Sequence, residues 1–270
     1  MLVAVVILVS LAGIVILTMR HQFVSRLDRL EARIKSANVP NGSRRDLPPS
    51  VLALAARLGA RGDGAPGFTT FEQSGQMWQT QGGKQMDFTA RQTVSSYSSE
   101  YLWRAFFAPF GASTAADYLI DGTGGLEVKL LGAVTVARAV GGADINQGEA
   151  LRYLAELPWN SDAILNNRFL DWTVIDDNTL KVATGRGADR GEVTFKLDGN
   201  GLITTASAPS RMYANKGGTM TPRPWHGRFW DYQNANGRLI PCQAEVTWTL
   251  DEGEFIYWRA RIIPNSVSGP

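Results

Sequence analysis

The hydrophobic and polar positions of this chain follow three patterns in succession. Residues 2–19 form an unbroken apolar run, in which Ser10 and Thr18 carry the hydroxyl groups. In residues 20–35 the apolar positions recur every three or four residues, which is the period of an amphipathic helix. From Phe68 onward the period is two, which indicates β-strands with one buried face. These patterns predict an apolar helix, an amphipathic helix and a β-rich domain.

The apolar run has the length of a transmembrane helix. At ~1.5 Å per residue it would span roughly 27 Å, close to the hydrocarbon thickness of a bilayer. A signal peptide is the alternative, but the run lacks a basic leading region and a small-residue cleavage site, and it continues into Arg20 and His21. No cysteine directly follows that could carry a lipid anchor. We therefore expect residues 1–19 to be an uncleaved, single-pass anchor in the cell (inner) membrane.

The side of the membrane on which the rest of the chain lies stays open. Five basic residues follow the apolar run: Arg20, Arg26, Arg29, Arg33 and Lys35. The positive-inside bias, taken alone, places the main domain in the cytoplasm. An amphipathic stalk can carry such charges for other reasons, so the sequence predicts a membrane protein without fixing its side.

The amphipathic segment is predicted to continue the apolar helix. Its apolar positions are spaced four, three and four residues apart: Phe23, Leu27, Leu30 and Ile34. It could form a stalk, a short dimer seam or a strip that lies on the membrane surface. We favour a stalk, because two heptads are too few to predict a coiled coil. With a proline-containing linker over residues 38–49, this segment forms the predicted stalk and linker of residues 20–46.

The β-rich domain is predicted to span residues 47–270. Its clearest strand alternates apolar residues with polar ones, and the apolar positions are Cys242, Ala244, Val246, Trp248 and Leu250. Turn signals such as Asp121-Gly122 and Asn236-Gly237 separate about a dozen such strands. Strands joined by hairpins form an antiparallel sheet, so we expect one large antiparallel sheet.

Two helices are predicted within this domain. The first opens at Pro48 and Pro49 and runs through Leu58. The second begins near Asn146, in a sequence like a capping box, and ends at Pro158. This central helix alone is long enough to cover the apolar face of the sheet. We therefore expect a mainly β (α+β) fold, in which a curved antiparallel sheet wraps around the central helix and leaves a groove.

The amino-acid composition argues against several classes of function. The 27 basic residues nearly balance the 25 acidic ones, so we expect no nucleic-acid partner. A single cysteine, Cys242, excludes an internal disulfide, and the two histidines leave little material for a metal site. We therefore expect neither a metal nor a cofactor.

The sequence also lacks the catalytic motifs that would indicate an enzyme. It contains no nucleophile elbow, zinc-protease motif or phosphate-binding P-loop. His226 could act as a general base oriented by Asp231, but a lone histidine among aromatic residues is more often a packing residue. Cys242 falls on the apolar face of its strand, which predicts an inert core thiol. We do not expect an enzyme.

Several stretches of the chain resemble a family of bacterial domains of unknown function, of the DUF6544 or DUF6920 kind. The central stretch is QGEALRYLAELPW at residues 147–159, and others are Pro224-Trp225, Ile240-Pro241 and residues 253–259. The resemblance covers roughly residues 47–263.

This resemblance implies a fold similar to the lipoprotein carriers LolA and LolB. Those proteins are antiparallel half-barrels closed by helices around an apolar cavity for acyl chains. The family itself has no established activity, so the resemblance implies a fold and, at most, a class of ligand. The chain departs from the family pattern at Asn160, where an aromatic residue is expected after Trp159, so different contacts are expected there.

Large aromatic side chains cluster toward the carboxyl terminus, where they could fill a core or line a cavity for a hydrophobic ligand. The predicted ligand-binding residues are Trp159, Arg211, Trp225, Glu245, Trp248, Tyr257 and Trp258. Trp230 belongs to the same aromatic group. If the sheet face that carries Glu245 is covered, this carboxylate is expected to pair with Arg211 or Arg259.

Two functions are compatible with these expectations. The first is a membrane-anchored protein that binds a lipid or another hydrophobic ligand in a half-barrel cavity. The alternative is a non-catalytic scaffold or sensor domain that engages another membrane or envelope protein. The sequence leaves the ligand and the oligomeric state undetermined.

Overall fold

One long helix opens the structure. The computed structural model describes residues 2–36, 46–107, 112–215 and 217–268. Helix α1, Leu2–Lys35, joins the apolar run and the amphipathic segment without a break. Most of the predicted linker lies outside the described residues. The boundaries at residues 19 and 46 remain predictions.

The described residues contain thirteen β-strands, all in one antiparallel sheet. The strands are β1 (Phe68–Trp78), β2 (Gln85–Ser95), β3 (Tyr101–Phe107), β4 (Ser113–Ile120), β5 (Thr123–Leu130), β6 (Val134–Val140), β7 (Asp171–Asp176), β8 (Thr179–Thr184), β9 (Gly191–Leu197), β10 (Ile203–Ala214), β11 (Met220–Ala235), β12 (Arg238–Leu250) and β13 (Gly253–Ile262). Their order is β6-β5-β4-β3-β2-β1-β13-β12-β11-β10-β9-β8-β7. Two meanders, β1–β6 and β7–β13, therefore meet at a single seam between β1 and β13.

Turn residues set the hairpins as predicted. Asp121 and Gly122 join β4 to β5 with φ values of 49° and 73°, and Asn236 and Gly237 join β11 to β12 with 54° and 84°. Positive φ at both central positions matches the right-handed twist of the flanking strands, and Asp, Asn and Gly adopt it at low cost. The prediction of an antiparallel sheet built from hairpins is confirmed.

Three further α-helices accompany the sheet in the described part of the chain: α2 (Pro49–Arg57), α3 (Ala143–Ala155) and α4 (Asp162–Asn166). Helix α3 contacts β4 and β5 of the first meander and β8, β9 and β10 of the second. The sheet therefore curves around α3, and the predicted fold class is confirmed. Its buried stripe includes Leu151 and Leu154, as the sequence indicates.

The predicted start of this helix is wrong by three residues. Helix α3 begins at Ala143, so Asn146 lies inside it and does not cap it. The Asn146 side chain instead accepts a hydrogen bond from the backbone N–H of Gly124 at 2.9 Å and donates one to Asp189 Oδ1 at 3.1 Å. The Asn146 side chain therefore links α3 to β5 and to the β8–β9 loop.

The second half of α1 packs on the convex face of the sheet. Phe23, Leu27 and Ile34 are buried there. They form a separate apolar cluster with four sheet residues, Leu102, Ala116, Tyr118 and Ile120. The apolar face that suggested a free stalk is therefore covered by the chain's own sheet. A free stalk would leave this face exposed to solvent, and a dimer seam would need it available to a second copy.

Ion pairs surround that apolar contact. Arg104 on β3 meets Asp28 at 2.7 Å and Glu31 at 3.2 Å, and Arg26 pairs with Glu127 on β5. These pairs connect α1 to two different strands, so the helix is held in one orientation on the sheet. Its apolar first half projects beyond the domain, and none of its most apolar 18-residue window is buried.

Candidate functional site

A cavity of about 200 Å³ lies on the concave side of the sheet, next to α3. Both meanders and the turn Leu157–Trp159 contribute to its walls. Its apolar lining consists of Met77, Trp103, Leu126, Ala155, Trp159, Trp225, Gly227, Phe229, Val246, Trp248, Tyr257 and Trp258. Its polar lining consists of Asp117, Glu149, Arg152, Glu156 and Arg211.

The aromatic wall is fixed by ring contacts and by satisfied indole N–H groups. Trp159 donates from Nε1 to the Pro241 carbonyl at 2.8 Å, and Trp225 donates from Nε1 to the Tyr257 hydroxyl at 3.1 Å. The Trp159 ring lies 6.3 Å from that of Trp258 between centroids. Because these N–H groups have partners in the protein, the rings present an apolar surface to the cavity.

Six of the seven predicted site residues line this cavity: Trp159, Arg211, Trp225, Trp248, Tyr257 and Trp258. Strand alternation places Trp225 on β11 and Trp248 on β12 on the concave face, whereas Trp159 comes from the turn after α3 and Arg211 follows a bulge in β10. Their role as ligand-binding residues stays a prediction. Trp230, the other aromatic residue weighed with them, is 42% exposed and does not line the cavity.

Glu245 does not belong to the cavity, and its assignment as a site residue is corrected by the structure. It precedes Val246 on β12, and because Val246 lines the cavity, the side chain of Glu245 points to the opposite, convex face. There it accepts from Arg228 Nη1 at 3.1 Å and from Arg259 Nε at 3.0 Å, the residues directly opposite it on β11 and β13. The expected pairing with Arg259 is confirmed, whereas that with Arg211 is wrong.

Arg211 lies at the boundary between the apolar and polar parts of the cavity. A bulge between Ala208 and Arg211 shifts the register of β10. The Arg211 guanidinium stacks over Trp225 at 4.9 Å and Trp248 at 5.7 Å from the ring centroids. A Cβ atom at Gly148 on α3 would lie 3.5 Å from Arg211 Nε, so this side chain packs against the helix at that glycine.

The polar end of the cavity is a buried cluster of charges that the sequence did not indicate as a site. Arg152 on α3 donates from Nε to Glu156 Oε1 at 2.9 Å and also pairs with Asp117 on β4. Its guanidinium lies 4.8 Å from the ring centroid of Trp103. Glu156 lies one helical turn from Arg152, whereas Asp117 comes from a strand 35 residues away. Asp117 is the one charged residue of the mostly buried strand β4, and a charge in such a strand is the signal that could have shown it.

Glu149 is a second buried acid at this end of the cavity. Its side chain is buried on α3 and accepts a hydrogen bond from the Tyr101 hydroxyl. Burial, reinforced by the nearby charge of Asp117, raises the pKa of Glu149 to about 7. Burial also raises the pKa of Asp117, in spite of its ion pair with Arg152. The cavity thus ends in a carboxyl group that changes its charge near neutral pH.

The candidate catalytic residues lie away from this cavity. His226 Nε2 is 3.9 Å from Glu254 Oε1, and Asp231 accepts a hydrogen bond from Gln233 at 3.0 Å. Neither residue contacts the cavity. Cys242 is buried, and burial raises the pKa of its thiol. Within the described part of the chain, no group of three or more His, Cys, Asp or Glu side chains is arranged to hold a metal ion.

A family model now places the chain. The model of the family of unknown function DUF6544 matches residues 38–260. The chain belongs to DUF6544. The resemblance of its central helix and carboxyl-terminal motifs to this family is therefore confirmed. At Asn160, where the DUF6544 pattern led us to expect an aromatic residue, the buried amide donates from Nδ2 to the Ser95 carbonyl at 2.8 Å and ties the turn after α3 to β2.

Solved structures similar to this DUF6544 protein share little sequence with it. A DUF1329 family protein from Desulfovibrio piger ATCC 29098 has 11% identity and a TM-score of 0.48, covering 82% of this chain and 90% of its own. A LolA superfamily protein from Nitrosomonas europaea has 12% identity and a TM-score of 0.42, covering 79% and 90%. A Vibrio parahaemolyticus domain described as an outer membrane lipoprotein-sorting protein has 8% identity and a TM-score of 0.43, covering 82% and 90%. No curated protein matches the sequence.

Proposed function

We propose that this DUF6544 protein is a membrane-anchored binding protein that holds a lipid or another amphipathic molecule in its concave cavity. The observation that carries the proposal is the composition of the cavity wall. Aromatic rings line one end, where the indole N–H groups of Trp159 and Trp225 are satisfied within the protein, and the cationic Arg211 stands where the polar end begins. An apolar surface with a few converging polar groups is the usual form of a small-molecule site.

The size of the cavity supports a slender ligand. Its volume of about 200 Å³ is below the roughly 300–1,000 Å³ of typical ligand pockets. A single acyl chain fits this space better than a two-chain lipid or a bulky ring system. Its apolar part would lie along Trp159, Trp225 and Trp258, and its polar head would lie near Arg211.

Helix α1 supports the membrane part of the proposal. Its first half has a mean hydropathy of 3.0 over 18 residues and is unburied. A signal sequence passes the same test of length and composition. We favour the anchor, because the helix continues without a break through Arg20 into the half that packs on the sheet. A tether of this kind would raise the local concentration of a membrane-derived ligand.

Photocrosslinking tests the binding site in the full chain. The protein is placed in phospholipid nanodiscs with palmitic acid that carries a diazirine, irradiated, digested and mapped by mass spectrometry. We expect adducts on β11, β12 and β13 peptides that contain Trp225, Trp248 or Trp258. Adducts confined to residues 2–19 would contradict the proposal and favour a scaffold or sensor domain.

A matched pair of glycine variants controls this experiment. A Cβ at Gly227 would meet nothing closer than 3.5 Å and would point at the cavity lining, so Gly227→Phe should fill the cavity without moving the backbone. Gly199 lies in an exposed turn with no atom within 4 Å of such a Cβ, and Gly199→Phe serves as the control. We expect the first variant to lose the cavity adducts and the second to keep them.

A further inference from the structure

The turn between β5 and β6 exposes a group of large apolar side chains. Leu130, Leu131, Val134 and Val136 are each between 43% and 67% exposed. Phe106, near the end of β3 at the same end of the sheet, is 47% exposed. Exposed apolar residues are ordinary when scattered, but a contiguous group marks an interaction surface.

The backbone of this turn is unusual in a way that points to function. Four non-glycine residues in the described chain have positive φ: Asp121, Leu131, Asp231 and Asn236. Asp and Asn tolerate this conformation, whereas leucine has no polar side chain to compensate it. Leu131 holds φ at 54° at the tip of the turn, next to Gly132 at 68°. An asparagine or glycine would suit the turn better, so the apolar side chain stands here at a conformational cost.

Contacts with α1 place this turn beside the end of the apolar run. Arg26 pairs with Glu127, Lys129 Nζ lies 5.2 Å from the centroid of the Phe23 ring, and a Cβ on Gly132 would lie 3.1 Å from Arg20 Cγ. Strand β5 therefore runs antiparallel to α1 toward the membrane. The turn lies level with Arg20, the first charged residue after Met19.

We propose that the β5–β6 turn is a second membrane contact, in which Leu130, Leu131 and Val134 enter the boundary between the headgroups and the acyl chains. The occupant of this surface is the bilayer that α1 crosses, so the inference rests on the proposed anchor. Arg20, beside the turn, suits the headgroup layer, because a long basic side chain keeps its charge in the polar region while its stem stays apolar.

This contact would also bring the cavity close to the bilayer. In the antiparallel sheet, the end at which β5 stops is also the end at which β1 and β10 stop. Met77 and Arg211, which line the cavity, lie one and three residues from the ends of β1 and β10. Part of the cavity lining thus lies near the end of the sheet that the turn would hold against the membrane.

Depth-dependent fluorescence quenching tests the contact in the full chain. Cys242 is buried, so a cysteine introduced at position 131 is the reactive thiol for an NBD label. The labelled Leu131→Cys protein is reconstituted into phosphatidylcholine vesicles that contain doxyl-labelled phospholipid. We expect quenching at least about twofold greater than for Asn200→Cys, whose turn lies at the opposite end of the sheet.

A third labelled position separates failure of the contact from failure of the anchor. Val9→Cys reports on the apolar half of α1. If the label at position 9 is quenched but the label at position 131 is quenched no more than that at position 200, the second contact is overturned and the anchor stands. Absence of quenching at position 9 would overturn the anchor and, with it, the contact.

A substitution that suits the backbone of the β5–β6 turn allows a second, independent test of the membrane contact. Leu131→Asn suits the left-handed backbone, so the domain should remain folded. Hydrogen exchange of the β5–β6 peptide in nanodiscs should become faster in this variant than in the parent. Unchanged exchange would contradict insertion of Leu131.

Discussion

The hydroxyl of Tyr101 on β3 donates a hydrogen bond to Glu149 on α3, inside the core and at the polar end of the cavity. Both side chains are buried, and burial raises the pKa of the tyrosine as well as that of the glutamate. The neutral form of the Glu149 carboxyl group is favoured here, because a carboxylate would place its negative charge in a poorly solvated cluster beside Asp117. The pair therefore couples the packing of the central helix to pH.

We predict that Glu149 makes the domain less stable as pH rises. The folded protein holds this proton with a pKa of about 7, compared with 4.5 for an ordinary glutamate. The stabilisation is complete below pH 4.5 and is lost as pH rises through 7, by up to about 3 kcal/mol. Urea unfolding followed by tryptophan fluorescence should show this slope, and Glu149→Gln should remove it. The control variant Glu72→Gln, at an exposed position, should keep the pH dependence of stability. An equal pH dependence in both variants would contradict its assignment to Glu149.

We predict that the second half of α1 contributes to the stability of the β domain. Leu27 is 2% exposed against the convex face. Leu27→Ala should lower the free energy of unfolding by roughly 2–5 kcal/mol, since it leaves a cavity under a docked helix. Leu52→Ala is the matched control, because that leucine is 39% exposed on α2. A free stalk would instead leave the Leu27→Ala domain as stable as the control in urea unfolding.

We predict that Gly75 is required at the seam between the two meanders. A Cβ there would lie 2.0 Å from the Arg259 carbonyl oxygen and 2.8 Å from Ala260 Cα, both of them backbone atoms of β13. Gly75→Ala should cost at least about 3 kcal/mol, since neither strand can yield without opening the seam. Hydrogen exchange should report faster exchange in β1 and β13. Protection equal to that of Gly199→Ala, where the added methyl group meets nothing, would show that the seam has room.

Local sequence patterns predicted the strands and turns, because the conformation of these elements depends mainly on residues that are neighbours in sequence. The period of two predicted strands such as β12, and Asp-Gly and Asn-Gly pairs predicted the hairpins, since these residues adopt positive φ at low cost. Alternation places Trp225 and Trp248 on the cavity side, but the six cavity residues were predicted mainly from their aromatic character. Glu245 was misplaced because alternation assigns two faces to a strand without saying which of them covers a cavity.

Contacts between distant segments could not be predicted in this way. The helical period of Phe23, Leu27 and Ile34 shows that one face is buried, but the convex face of the sheet that buries it is built from strands far along the chain. The polar cluster likewise needs Asp117 and Arg152, which meet only when β4 packs against α3.

The sequence by itself determined the apolar helix, the strands and turns, the family and the aromatic character of the site. The tertiary structure decided where α1 packs, which strands form the seam and which charges end the cavity. The physical reason is that periodicity and turn chemistry act over a few residues, whereas the choice of packing partner depends on which distant surfaces match in shape and charge once the sheet has curved.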